Sequence, residues 1–212
     1  MSKEDSNPVI TVADRGPYIV VNLNKFENLH GRKYLLKPVM SLCRCGESKD
    51  KPYCDGAHNS IEIDWEKNSE RTEYKWKNYV GDEIIIHFNL SLCSHNGACR
   101  DNLPEVFNLD SRPWINANGS SIGNIIETIK KCPSGALSYT INNQKFTEYN
   151  YEEPIIKASK KGPIEVLGGV ELKDPKGNKP EVKDHYVLCG CGWSKNKPFC
   201  DGHHLEKIKE QK

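Results

Sequence analysis

The apolar residues of this chain fall in short pieces separated by turn-forming residues, and the pattern changes from one part of the sequence to the next. Two stretches, GPYIVVNLNKF from Gly16 and GPIEVLGGVEL from Gly162, are rich in β-forming residues and punctuated by turn signals. That composition predicts short strands joined by tight turns. Between them Glu83–Leu92 reads as a strand, Asp101–Val106 as a short polar helix, and Ser121–Lys131 as a longer helix capped by Ser120 or Ser121. On that second helix Ile122, Ile125, Ile126 and Ile129 line one face. A strand over Ala136–Ile141 follows, so strand, helix, turn, helix and strand succeed one another, the order of a small α+β unit. The polar ends, Met1–Asp14 and Glu206–Lys212, are expected to fray.

The two β-rich stretches open a duplication. Gly16-Pro17 recurs as Gly162-Pro163, Gly31 as Gly177 and Cys43 as Cys189, always 146 positions on. Residues 16–58 and 162–204 align without a gap and agree at 18 of 43 positions, where chance gives about two or three. They are one module in two copies. The expected organisation is a first module over 15–60, a different domain over 61–150 and a second module over 151–206.

Composition narrows the function before any motif does. With 30 basic and 29 acidic side chains the formal net charge is +1, so no long-range field draws the chain to nucleic acid or to an anionic membrane. Apolar runs such as Tyr18–Val21 and Ile84–Ile86 are far below the ~20 residues that cross a bilayer. The opening MSKEDSNPVI has neither a basic start before an apolar stretch nor an Arg-rich amphipathic pattern, so a cytoplasmic location is expected. Only 36% of residues are apolar and the mean hydropathy is −0.70, so the cores must be small or reinforced. Nine cysteines offer the reinforcement, grouped as Cys43, Cys45, Cys54, then Cys93, Cys99, Cys132, then Cys189, Cys191, Cys200. Their odd number cannot close into a full intramolecular disulfide set, and such groups in a reducing compartment point to metal.

Copy one reads CRCGESKDKPYCDGAH from Cys43, and copy two CGCGWSKNKPFCDGHH from Cys189. Three thiols and an imidazole recur at the same offsets: Cys43, Cys45, Cys54, His58 and Cys189, Cys191, Cys200, His204. Cys54 and His58 are four apart and share a face on a helical turn, while the C-x-C cysteines lie in an extended loop. That arrangement suits a site in which each pair holds its own metal ion. A structural zinc also accepts three thiolates and one imidazole, although its familiar spacing is wider than C-x-C. On spacing alone the iron–sulfur and zinc readings stand level.

Both copies resemble the CDGSH iron–sulfur domain, with the signature C-x-C-x2-[ST]-x3-P-x-C-D-G-[SAT]-H. Copy one matches at every position; copy two departs at His203, where the family has a small residue. The resemblance implies a 2Fe-2S cluster in each copy, held by the eight residues named above, two Cys on one iron and Cys plus His on the other. His203 is placed to crowd the second cluster or to offer a competing nitrogen, with His204 keeping the ligand offset. Asp55 and Asp201 are expected to accept backbone N–H bonds at the start of the ligand helix, and Gly56 and Gly202 to let the backbone pass close to the cluster. Ser48 and Ser194 are expected to donate to a cluster sulfur, and Pro52 and Pro198 to stiffen the loop. Single-motif members of the family pair as homodimers. Two copies in one chain are thus expected to pair about a pseudo-two-fold axis within a monomer, giving an α+β fold of two small β-rich modules and a ferredoxin-like domain.

The middle cysteines follow another pattern. Cys93-Ser-His95-Asn96-Gly97-Ala-Cys99 followed by Cys132-Pro133 resembles ferredoxins, whose C-x2-C-x2-C run and distant Cys-Pro bind a cubane cluster. The stretch from Tyr79 to Tyr139 is similar to the divergent single-cluster ferredoxin family that accompanies CDGSH modules. Asn96 stands where that family's second cysteine would be. The resemblance implies a 3Fe-4S cluster on Cys93, Cys99 and Cys132, or a 4Fe-4S cluster completed by another group. His95, one residue out of register, is the nearby candidate for that group; its other reading is a hydrogen bond to a sulfide or to the loop.

No nucleophile–base pair, phosphate-binding glycine loop or dinucleotide fingerprint is present, and Gly168-Gly169 reads as a turn. The leading expectation is therefore not an enzyme but an electron-transfer or redox-sensing protein, meeting a redox partner protein through two 2Fe-2S clusters and one 3Fe-4S or 4Fe-4S cluster. One alternative is cluster storage and transfer to an apo-acceptor protein, for which a protonatable imidazole ligand gives a release route. The other is a zinc-stapled interaction module.

Overall fold

The computed structural model describes residues 7–71, 73, 75–160 and 162–206. In chain order its first strands are β1 (Val9–Val12), β2 (Tyr18–Val21), β3 (Phe26–Asn28) and β4 (Val39–Leu42). Next come β5 (Lys77–Val80), β6 (Ile85–Phe88), α1 (Ala98–Asn102), α2 (Ile122–Ile129), β7 (Leu137–Ile141) and β8 (Gln144–Phe146). The last are β9 (Ile155–Ala158), β10 (Pro163–Leu167), β11 (Glu171–Lys173) and β12 (His185–Cys189). Small sheets with few helices make this an α+β protein. It divides into two compact units, one of the described residues up to Arg71 and from Asn150 onward, the other of those from 72 to 149.

In the first unit the 146-residue offset carries β1, β2, β3 and β4 onto β9, β10, β11 and β12 to within a residue. The duplication therefore begins ahead of Gly16, in a segment expected to fray. Its VITV sequence alternates, and Ile10 and Val12 turn inward and are buried, which holds β1 in place. Residues 1–6 and 207–212, the remainder of the expected frayed ends apart from Glu206 and the residues flanking β1, lie outside the described residues. Each sheet draws three strands from one copy and the fourth from the other, in the orders β11-β1-β2-β4 and β12-β10-β9-β3. The strands from the other copy join in parallel, with Ile10 opposite Leu172 and Phe26 opposite Ile156. Strands of the same copy pair antiparallel. Ile10, Tyr18, Val20 and Met40 of copy one belong to one buried cluster with Ile156, Ile164, Val166 and Leu188 of copy two. Fully burying each large side chain contributes roughly 1.5–3 kcal/mol, so a core assembled from both copies reaches what either short module lacks.

The second unit is a fully antiparallel sheet, β5-β6-β7-β8. Ser121 caps α2, its side chain accepting from Asn124 N at 3.4 Å, and Ile125 and Ile129 are fully buried on the face anticipated from their spacing. They pack with Ile86, Phe107, Ile115 and Leu137. Two elements differ from expectation. The strand read over Glu83–Leu92 stops at Phe88, because Asn89 caps a 3-10 turn over Leu90–Leu92 by accepting from Ser91 N. The helix read over Asp101–Val106 instead begins at Ala98, where the positive φ of Gly97 turns the chain, and ends at Asn102 as Leu103 folds into the core. Among the described residues no helix is long and apolar enough to cross a membrane.

Candidate metal centres

Each copy presents its candidate ligands on the same folded loop. Cys43 follows β4 and Cys189 ends β12. The chain then returns so that Tyr53 bridges Leu42 and Phe199 bridges Leu188. Cys43 N donates to Pro52 O and Cys189 N to Pro198 O, both at 2.8 Å, while Cys54 N and Cys200 N donate back to Ser41 O and Val187 O. These bonds bring the later cysteine beside the strand that carried the earlier ones. The carboxylate of Asp55 accepts from Lys49 N at 2.8 Å and Ala57 N at 3.0 Å, and Asp201 does the same with Lys195 N at 2.9 Å and His203 N at 3.3 Å. Those backbone donors hold the Asp55 carboxyl below the usual range, the Lys49 bond most. His58 lies on the 3-10 turn Ala57–Ser60, whose N-cap is Gly56.

The donors lie in pairs. Cys43 and Cys45 sulfurs are 3.7 Å apart, as are those of Cys189 and Cys191. Cys54 Sγ is 3.4 Å from His58 Nδ1, and Cys200 Sγ is 3.6 Å from His204 Nδ1. Tetrahedral ligands at bond lengths of about 2.3 Å to sulfur and about 2.0–2.1 Å to nitrogen stand roughly 3.7 Å apart for two sulfurs and roughly 3.5 Å for sulfur and nitrogen. Every pair thus fits two corners of one metal ion. Among the described residues, however, no three or more His, Cys, Asp or Glu gather as a site for a single ion.

Within each C-x-C pair one sulfur is the more acidic. The Cys45 thiol draws Cys43 down to about 6 by hydrogen bonding to it, and Cys191 does the same to Cys189, while the second proton of each pair is held more tightly. Backbone N–H groups of Gly46, Glu47 and Trp193 donate to Cys43, Cys45 and Cys191 sulfurs at 3.3, 3.4 and 3.5 Å. The serines behave otherwise than expected. Ser48 Oγ donates to Tyr53 O and Ser194 Oγ to Phe199 O, both at 2.6 Å, so these hydroxyls pin the returning loop instead of reaching a sulfur. His203 lies with Nδ1 2.9 Å from Asp201 Oδ1.

Three features escaped the motif. A Cβ placed on Gly46 would lie 2.2 Å from Cys191 O, and one on Gly192 the same distance from Cys45 O, so the two C-x-C loops touch backbone to backbone. Both glycines have positive φ, 83° and 81°. Their recurrence after each C-x-C was the available signal. Tyr18 of copy one donates to Cys189 O at 2.9 Å and Pro198 O at 3.0 Å in copy two, where its own counterpart is Ile164. Trp65 meets the His58 ring edge-on, with centroids 6.2 Å apart.

In the second unit Cys93 follows the 3-10 turn, Cys99 lies on α1 and Cys132 follows α2, all packed against that unit's core. Burial pushes the Cys93 thiol up to about 12 and Cys99 to about 11, and the Cys132 charge adds to both. A metal must therefore displace their protons. His95 is exposed, with φ 54°, and its backbone N–H donates to Cys93 Sγ at 3.4 Å; Asn96 Oδ1 accepts from Ala98 N.

The family model described as iron-binding zinc finger, CDGSH type, matches residues 15–59 and 161–205. The model described as divergent 4Fe-4S mono-cluster matches residues 79–142. Two curated relatives, the uncharacterized protein YjdI of Escherichia coli strain K12 and that of strain O157:H7, are each 38% identical over 61 residues, 29% of this chain and 80% of theirs. No solved structure matches it. With paired Cys and Cys–His donors in each repeat and a third cysteine group between them, the chain belongs to the CDGSH-type iron–sulfur family, as a tandem member with a central divergent 4Fe-4S mono-cluster domain.

Proposed function

We propose that this protein carries single electrons, or reports redox state, through a 2Fe-2S cluster in each CDGSH copy and a third cluster on Cys93, Cys99 and Cys132, without itself transforming a substrate. The observation that carries this reading is the pairing of donors: two edges per copy, each of the length one tetrahedral metal requires. Bound there, a cluster would supply one-electron chemistry, and three thiolates with one neutral imidazole set its charge. The mono-cluster family match favours four irons in the middle site, with a fourth ligand from outside its three cysteines. The mutual exchange of β3 and β11 supports pairing of the copies about a pseudo-two-fold axis within one chain. Iron and acid-labile sulfide analysis with electron paramagnetic resonance on anaerobically purified protein tests it. Two reducible 2Fe-2S signals and one distinct cluster signal are expected; colourless protein containing zinc would refute it.

A second reading, donation of clusters to apo-acceptor proteins, is favoured by one asymmetry. His204 is buried at 6% exposure, while His58 is only partly buried, so water reaches one imidazole ligand more readily. Incubation with apo-ferredoxin separates the two: retention of clusters through turnover with a reductase supports electron transfer, and loss of the copy-one cluster to the acceptor supports donation.

A further inference from the structure

Arg44 is a buried charge that the duplication does not repeat. It stands between Cys43 and Cys45 and is 4% exposed; its counterpart is Gly190. Nη1 donates to Ala13 O at 3.1 Å and Nη2 to Trp65 O at 3.2 Å. Its Cζ lies 5.1 Å from the Trp65 ring centre and 5.7 Å from that of Tyr18. Nε has no hydrogen-bond partner, and among the described residues no carboxylate pairs with the guanidinium. Carbonyls and ring faces offset part of the desolvation of a buried cation, but among the described residues none supplies a formal counter-charge. Arg44 is attached between two ligand cysteines, and Trp65, on which it stacks, abuts the ligand His58.

We propose that Arg44 is the fixed counter-cation of the cluster held by Cys43, Cys45, Cys54 and His58, and that it makes copy one the preferred seat of an electron shared between the two CDGSH centres. This rests on the 2Fe-2S reading above. The step is the gain of one electron from a one-electron donor, with no bond made or broken. With the sulfur dioxide radical anion of dithionite as donor, sulfur dioxide is the product. Three thiolates, a neutral imidazole and the cluster core carry one net negative charge before the step and two after it. A fixed cation in a low-dielectric site favours the second state.

Other charges also differ between the copies. Lys49 and Lys51 recur as Lys195 and Lys197; Lys197 is buried at 5% exposure where Lys51 is partly buried and so acts for copy two, but unlike Arg44 it does not stand between two of the candidate ligand cysteines. Glu47 and Asp50, replaced in copy two by Trp193 and Asn196, oppose Arg44, but both are exposed and screened by solvent. His203, in place of Ala57, lies with Nδ1 2.9 Å from Asp201 Oδ1 and counts for copy two only when protonated.

The test is a redox titration of the holoprotein followed by electron paramagnetic resonance, with signals assigned to copy one by His58→Cys and to copy two by His204→Cys. Copy one should be reduced first in the unaltered protein. Arg44→Gln should lower its electron occupancy relative to copy two about tenfold or more, equivalent to about 59 mV for one electron. Arg44→Lys should keep most of the original order. Unchanged potentials in Arg44→Gln, or a larger fall at copy two, overturns the proposal. If Arg44→Gln does not load, the unaltered protein still decides, since reduction of copy two first overturns it as well. Zinc in place of iron and sulfide defeats the underlying cluster reading, a result distinct from loaded clusters with unmoved potentials.

Discussion

A carboxylate that accepts two backbone N–H groups from separate turns of one loop holds that loop closed, and Asp55 and Asp201 each do so beside a candidate ligand cysteine. Asp55→Ala is expected to weaken cluster retention in copy one about 10- to 100-fold, the usual effect of removing a group that orients ligands. Bleaching of the visible bands under chelator measures it; a rate equal to that of the unaltered protein contradicts the role. His58→Cys, by adding a thiolate, should lower the potential of the same centre and slow its loss in acid. An unchanged acid lability argues against His58 as a ligand. The pairing of Cys with Cys and of Cys with His was legible in the sequence because the chain encodes the same spacing twice. The serine contacts were not, since whether a hydroxyl meets a sulfur or a carbonyl depends on where the returning strand places Tyr53 O and Phe199 O.

Among the elements, α2 shows how much a strong period specifies. Ile125→Ala or Ile129→Ala should destabilise the second unit by about 2–5 kcal/mol, because each side chain is fully buried. Ser121→Ala should cost about 1 kcal/mol through the lost cap. Urea melts of the holoprotein followed by circular dichroism check both, and equal losses for the three variants would speak against the packing. The short α1 was misplaced because a five-residue helix has no period to read, and its start depends on the turn at Gly97. The edge strands β5 and β8, KNYV and QKF, are largely polar and owe their form to pairing with β6 and β7. Likewise no local signal tells that β3 and β11 complete the sheet of the other copy, because that pairing joins residues more than a hundred positions apart. Phe26→Ala, made in copy one, should therefore loosen the sheet of copy two. Hydrogen exchange over β9 is the readout, and unchanged protection there would contradict the exchange of strands.

For the whole molecule, the low apolar content makes the metal part of the folding free energy. Iron-free protein should lose the single cooperative transition of the holoprotein, and an equally sharp melt would exclude that dependence. Light scattering should give a mass near 24.1 kDa if each copy finds its counterpart in the same chain. A stable dimer at micromolar concentration would place the pairing between chains. The contact of Gly46 with Cys191 O, and of Gly192 with Cys45 O, bears on how the protein matures. Each ligand loop is one wall of the other, so neither has its final shape until its neighbour does, and filling one site prepares the second. Native mass spectra taken during reconstitution should accordingly be dominated by chains with both CDGSH sites empty or both filled. Gly46→Ala, by forcing the walls apart, should bring half-filled chains into view.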